Sequence, residues 1–397
     1  MAYLNFEFKY TQKTLLLLFK MLFLSIAMQT KPIHIISFDN PFPPNYGGVI
    51  DVFYKIKSLH QLGFEIYLHC FYDDRSEVSE ELKAIAKTVF LYKKNRNPLF
   101  LFSSIPLSVT SRFHKDLIQN INSVEAPILF EGLQTTMILN KIKLGNRKLF
   151  LRLHNLESNF YAGMSKNETS FLKKMLYYLE SKKYTSYQNK IVDFDCVFTL
   201  SKMEFEYVKT KTEMVCYIPV FHGNETFNSL SEFGNYAFYH GDLRLPDNKK
   251  AVSYLIRLFQ KIPDYKLIIA SSNGKEFVEK QFHEAKNVAF ITIENEVHLA
   301  ALLANAHINV MLSFQQAGTK LKIVNSLFKS RFCLINDNMV DDERIVSLCE
   351  IANSEKEFIE KINLLKSQPF TQNKERENVL LEVFNDLDNA KKLESFL

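Results

Sequence analysis

The chain has 397 residues, 47% hydrophobic and including 35 Phe, which is more apolar mass than one core usually holds and enough for two. Its 49 basic and 44 acidic residues leave a formal charge of +5 spread along the chain, which excludes a nucleic-acid footprint and allows a modest attraction to anionic lipid or small anions. Five cysteines without a CxxC pair predict buried, reduced thiols in a cytosolic protein, and ten histidines without an HExxH or paired spacing support no dedicated metal site.

Residues 1–30 contain "TLLLLFKMLFLSIA", an apolar run that follows basic residues. Its 14 residues, Lys20 among them, fall short of the ~20 that span a bilayer, and no A-x-A-like cleavage site follows. The expectation is an N-terminal extension: a start-site artefact or disordered stretch first, an interfacial anchor second, a secretion signal third. Met21 and Met28 are alternative starts, and "MQTKPIHIISF" is a normal opening for an α/β protein.

From Lys31 short apolar runs alternate with helical patterns, which predicts parallel sheets built through right-handed crossovers. The strands are expected at "PIHIISF", "FEIYLHCF", "TVFLY", "PILFE", "KLFLRLH" and "CVFTLS". A helix over 48–62 places Val49, Val52, Phe53, Ile56 and Leu59 on one face, and a surface helix is expected within 168–190. A second series starts near Val215, with strands at "VCYIPV", "NYAFYH", "YKLIIA", "VAFITI", "HINVML" and "FCLIN". Its helices are expected over 248–261, 276–285, 296–305 and 320–329. The turn-rich "FHGNETFNSLSEFGN" marks the join. The expected domains are 31–215 and 216–365, followed by a charged helical tail over 366–397 able to pack on either. Two doubly wound domains would present the carboxyl ends of their strands to one cleft.

Four stretches could furnish that cleft. Only 11 glycines occur where average usage gives roughly 28, yet Gly47 and Gly48 stand together behind "PFPPNY". They either supply a turn that needs positive φ or let a phosphate or sugar approach bare helix N–H groups. In "LRLHNLESNFY", Arg152, His154, Asn155 and Glu157 gather where a strand empties into the cleft, as a solvated loop or as a sugar- and proton-handling site. "YHGDLRLPDNKKAV" turns at Gly241 ahead of a capped helix. In "AGTKLKIVNSLFKSRF", Gly318 and Thr319 open a helix whose first turn carries Lys320 with Lys322 close behind. Basic residues there oppose the helix dipole, and a diphosphate would reward them. The two lysines project from different sides, so one is expected to face the ligand.

In this order the four stretches resemble the bacterial GT-B-fold glycosyltransferases, in particular the retaining, sugar-nucleotide-dependent mannosyl- and glucosyltransferase group, over about residues 31–365. The resemblance implies an acceptor-side first domain and a second domain that binds the nucleotide sugar. It implies donor contacts from Gly47, Gly48, Gly241, Gly318, Thr319, Lys320 and Asn325, with His154 beside the transferred sugar and Lys322 stabilising the leaving group. Arg152, Asn155 and Glu157 fall on the acceptor side or behind it. It implies no cofactor beyond the donor, no obligatory metal, no nucleic acid, a saccharide or lipid-linked acceptor, and a cytoplasmic location with possible contact at the inner membrane face. The chain departs from the group where two glutamates are usual: those positions are Ala317 and Asn325. Two alternatives therefore stand beside an active transferase: a sugar-nucleotide-binding assembly protein without turnover, and a GT-B-fold epimerase, the latter lacking a recognisable acidic pair.

Overall fold

The computed structural model describes residues 31–281, 285–315 and 320–397. The expectations for residues 1–30, and those for Ala317, Gly318 and Thr319, lie outside the described residues.

The first sheet comprises β1 (Lys31–Ser37), β2 (Phe64–Tyr72), β3 (Thr88–Lys93), β4 (Ile128–Glu131), β5 (Leu149–Leu153), β6 (Cys196–Thr199) and β7 (Val215–Tyr217). All pairs are parallel, in the order β3-β2-β1-β4-β5-β6-β7. The second comprises β8 (Tyr236–His240), β9 (Leu267–Ser271), β10 (Val288–Thr292), β11 (Ala306–Met311), β12 (Phe332–Ile335) and β13 (Glu350–Ile351). It is parallel too, in the order β10-β9-β8-β11-β12-β13. Helices cover both faces, which is why β4, β5, β6, β8, β9 and β11 read as unbroken buried runs rather than alternating ones. The order reverses between β1 and β4, and again between β8 and β11, and such switch points open the crevices where α/β sheets bind ligands.

Two expectations need correction. The boundary set at 215 falls inside β7, because "VCYIPV" pairs with β6 and closes the first sheet rather than opening the second. The short strand β13 carried too little apolar signal in two residues to be read. The tail divides between the domains: helix Lys374–Phe384 buries Leu380, Val383 and Phe384 with Ile323 and Phe328 of the second, while helix Asp386–Glu394 buries Ala390 and Leu393 with Ile56 and Phe198 of the first. Phe396 then meets Phe198 edge-on, with ring centroids 5.6 Å apart.

The carboxyl ends of the two sheets meet. Beyond β5, helix Glu157–Asn167 reaches the second domain, where Gln315, beyond β11, donates to Phe160 O at 3.1 Å, and Asn167 donates to Asp247 at 3.1 Å. A Cβ on Gly163 would lie 2.2 Å from the Gln315 side chain and would push it aside. Met203 N donates to Asp341 at 2.7 Å further along the seam.

Candidate active site

Helix Gly47–Gln61 follows β1 through a loop held from several sides. The Tyr46 hydroxyl donates to Asp39 at 2.6 Å, and Arg75 donates to Asn40 O at 3.0 Å, to Pro43 O at 2.8 Å and to the Asn45 side chain. The helix itself begins bare: no side chain caps it, and its first turn carries no acid. Neither glycine supplies a positive φ, a role that Gly63, Gly132, Gly145, Gly223 and Gly274 perform instead, so the turn explanation of Gly47 and Gly48 fails. Gly48 admits the Phe38 ring, which a Cβ would meet at 2.6 Å, whereas Gly47 has no atom within 4 Å of that position. Gly47 is the open one, and it leaves the uncapped helix terminus approachable.

Beneath this terminus lies a buried ionic cluster that joins helix, strands and linker. Asp51 accepts from Lys55 at 2.8 Å, from Arg152 at 2.8 and 3.2 Å and from Phe221 N at 2.9 Å. Lys55 also reaches Glu131 at 2.9 Å, and Glu131 accepts from His154 Nε2 at 2.8 Å. Because a carboxylate only accepts, it is His154 Nε2 that carries the proton in this hydrogen bond. Its ring stands edge-on to Phe38 at 5.2 Å, so Gly48, Phe38 and His154 form one packed line. Burial raises the Asp51 and Glu131 carboxyl pKa values, but the cations beside them win and hold both below the usual range: Arg152 and Lys55 for Asp51, Lys55 and His154 for Glu131. Asp51, Glu131 and His154 bring ligand atoms within 4.8 Å of one another, a spacing that would suit a metal ion. The cation bonded to both carboxylates is the Lys55 ammonium.

Arg152 is fully buried, and its remaining donors go to Ile218 O at 2.7 Å and Pro219 O at 2.9 Å. It holds Asp51 from behind. Removing one member of such a buried set costs roughly 3–5 kcal/mol because its partner charge is stranded. Asn155 lies partly buried beside His154. Glu157 is 6% exposed, and burial, reinforced by Glu204 and opposed by Arg112, pushes its pKa up to about 8.

In the second domain, helix Pro246–Phe259 follows β8. Asp247 in its first turn accepts from Ser313 Oγ at 2.7 Å and Phe314 N at 2.9 Å, fixing the loop beyond β11. That loop leads toward helix Leu321–Lys329. Lys320 is its N-cap, in extended backbone, rather than part of its first turn, and Lys322 follows inside the helix with no acid in the first turn. Lys320 Nζ donates to Asn338 O at 2.9 Å; Lys322 Nζ lies 3.4 Å from Asn248 Oδ1 and 4.7 Å from the Tyr239 ring centroid. Burial lowers both ammonium pKa values, Lys320 to about 8 and Lys322 to about 7. Lys320 repels Lys322, while Asp247 opposes the shift of each. The two lysines thus lie close enough to feel each other's charge. Gly241 sits against this group: its Cβ would meet Tyr239 OH at 3.2 Å and Asn248 Cγ at 3.3 Å. Asn325 accepts from Asn224 Nδ2 at 3.0 Å, which ties the helix to the linker.

Sequence reading missed Asp51, Lys55, Glu131, Asp247, Tyr239 and Asn248. A signal existed for some: Asp51 and Lys55 are an i,i+4 pair interrupting an apolar face, and Glu131 ends an otherwise apolar strand.

Two parallel doubly wound domains meeting at their strand ends, with the last helix returning to the first, define the GT-B fold of glycosyltransferases. The crystal structure of Anabaena HepE in complex with UDP-glucose matches with a TM-score of 0.61 at 12% identity, over 92% of this chain and 100% of that one. The apo structure of WaaB, a lipopolysaccharide outer core galactosyltransferase, matches with a TM-score of 0.55 at 11% identity, over 92% and 98%. In sequence, the chain is 25% identical over 319 residues to an uncharacterized 44.6 kDa protein in the cps region of Klebsiella pneumoniae, covering 75% of this chain and 81% of that one. No family model matches the chain.

Proposed function

We propose that the protein is a glycosyltransferase that moves a hexose from a nucleoside-diphosphate sugar to a saccharide or lipid-linked acceptor in cell-envelope polysaccharide or glycolipid synthesis. The observation that carries this reading is the lysine pair at the β8/β11 switch point: half-buried Lys320 and Lys322 open one helix with no acid in its first turn and repel each other, and an anionic diphosphate would neutralise both. HepE binds UDP-glucose, so UDP and UDP-hexoses are the first donors to test. The anomeric C–O bond to the diphosphate breaks, a C–O bond to the acceptor hydroxyl forms, and the acceptor's proton passes to the departing phosphate oxygen. Lys320 and Lys322 stabilise the charge that develops on the leaving group, which supplies the positive charge of the step without an obligatory metal. His154, held through Glu131, lies beside the transferred sugar, and retention by same-face attack follows the group that the sequence resembles.

A second reading, a sugar-nucleotide-binding protein without turnover, is favoured by Asn325, whose neutral amide is already engaged by Asn224 where a carboxylate is usual. Thermal shift across UDP- and GDP-sugars, then nucleotide release with and without saccharide acceptors, separates the two. Binding with no release across the panel would sink the transferase. Isomerised donor without an acceptor would instead identify an epimerase. Lys320→Ala and Lys322→Ala, made separately, are expected to weaken UDP binding at least about tenfold, or ~1.4 kcal/mol; if neither does, the phosphate assignment is wrong.

A further inference from the structure

Helix Phe171–Tyr187 is turned the unusual way round. Its inward face carries Glu180, Ser181, Tyr184 and Tyr187: Tyr184 stacks on Tyr161 at 5.4 Å, and Ser181 donates to Ser158 O at 2.9 Å. About half a turn away, its outward face carries Phe171, Leu172, Met175, Tyr178 and Leu179, with Phe171 81% and Leu172 62% exposed. The neighbouring segment adds Leu99, Leu101 and Phe102, the last 87% exposed, and Lys183 of the helix ties the two together by donating to Leu101 O at 3.0 Å. Half of the sixteen large apolar side chains exposed among the described residues therefore belong to this one face. A helix that hides its polar side and shows its apolar side marks a surface that something else covers.

The charges on the face say what covers it. Lys182 is exposed within the apolar stripe, one turn from Tyr178, and Lys174 is exposed on its flank. The helix's single acid, Glu180, points inward and is engaged by Lys183 and Leu107 N. A second copy of this chain packed about a two-fold axis through the stripe beside Lys182 would bury that lysine against its own like charge. At a bilayer, the lysine stems can lie along apolar surface while their ammonium groups reach phosphate headgroups. We infer that the face formed by residues 99–102 and helix Phe171–Tyr187 is a docking surface for an anionic lipid bilayer, seated by the apolar side chains and steered by the lysines. The inference holds whether or not the transferase reading does.

Flotation of the full chain with vesicles of phosphatidylethanolamine and phosphatidylglycerol, against phosphatidylcholine alone, tests it. The triple variant Phe102→Ser/Phe171→Ser/Leu172→Ser and the pair Lys174→Glu/Lys182→Glu are each expected to lower partitioning onto the anionic vesicles at least about tenfold. Their thermal unfolding should stay at the parent value, since the side chains changed are exposed. Binding of the parent should weaken with salt and be much weaker on phosphatidylcholine. Two results would overturn the inference: no flotation of the parent, or variants that float like the parent, which would move the contact to another part of the chain. A dimeric parent beside a monomeric triple variant, both in lipid-free buffer, would overturn it too and give the face to a second copy. UDP binding, measured on the same samples, reports on the donor site separately.

Discussion

A lysine ammonium held away from water keeps its proton more easily when an anion accompanies it, and Lys320 and Lys322 are poised where this matters. With pKa values lowered to about 8 and about 7, part of the pair is neutral in the free protein near pH 8, whereas a bound diphosphate favours the charged form. UDP binding is therefore expected to take up protons near pH 8, and its affinity to fall as pH rises above 7; calorimetry in buffers of different ionisation enthalpy checks both. The Glu157 carboxyl is shifted upward instead. Its folded value of about 8 lies above the unfolded 4.5, so between these the folded state binds the extra proton and stability falls as pH rises through this window. Glu157→Gln should flatten that slope in denaturant titrations, and an unchanged slope would remove Glu157 as its source.

At the level of elements, the two adjacent glycines separate into different jobs. Gly48→Ala would drive a methyl into the Phe38 ring, which flanks His154, and such overpacking costs about 1–3 kcal/mol. Gly47→Ala meets no atom and should leave stability unchanged or raise it by up to ~1 kcal/mol. Both substitutions are expected to weaken UDP-sugar binding, Gly47→Ala without loss of stability. Equal melting temperatures for the two variants would contradict the packing role of Gly48. The same contrast of burial and exposure separates Arg152 from the surface lysines. The Arg152 and Lys55 pairs are buried and hydrogen-bonded, while an exposed pair such as Lys83 with Glu80 contributes ~0–1 kcal/mol at most.

Across the whole molecule, two connections govern how the domains are joined. Asp51 and Arg152 hold the linker at Phe221, Ile218 and Pro219, and the final helix brings Leu393 back into the first domain's core. Leu393→Ala is expected to cost about 2–5 kcal/mol in equilibrium unfolding while leaving UDP affinity within about twofold, since it empties a core position far in sequence from the donor loops. An affinity change matching the stability loss would show instead that the returning helix shapes the donor site.

Periodicity alone was enough to read twelve of the strands, because parallel strands covered on both faces must be apolar throughout, and their spacing by helical patterns announced two doubly wound domains. The glycine-opened and lysine-opened helix starts were legible too, since glycine is scarce here and a basic first turn opposes the dipole. Partnership was not legible. Whether "VCYIPV" closes one sheet or opens the next depends on which edge it pairs with, and sequence order leaves that open. Arg152 and Glu157 sit in the same polar run as His154, yet one is a buried tie and the other a buried acid, because burial is decided by elements distant in the chain. Asp51, Lys55 and Glu131 become a site only where a helix and the strands beneath it converge. For Gly47 and Gly48 the sequence by itself established an unusual helix start; only the packing of Phe38 between Gly48 and His154 showed that one glycine makes room and the other leaves the terminus open.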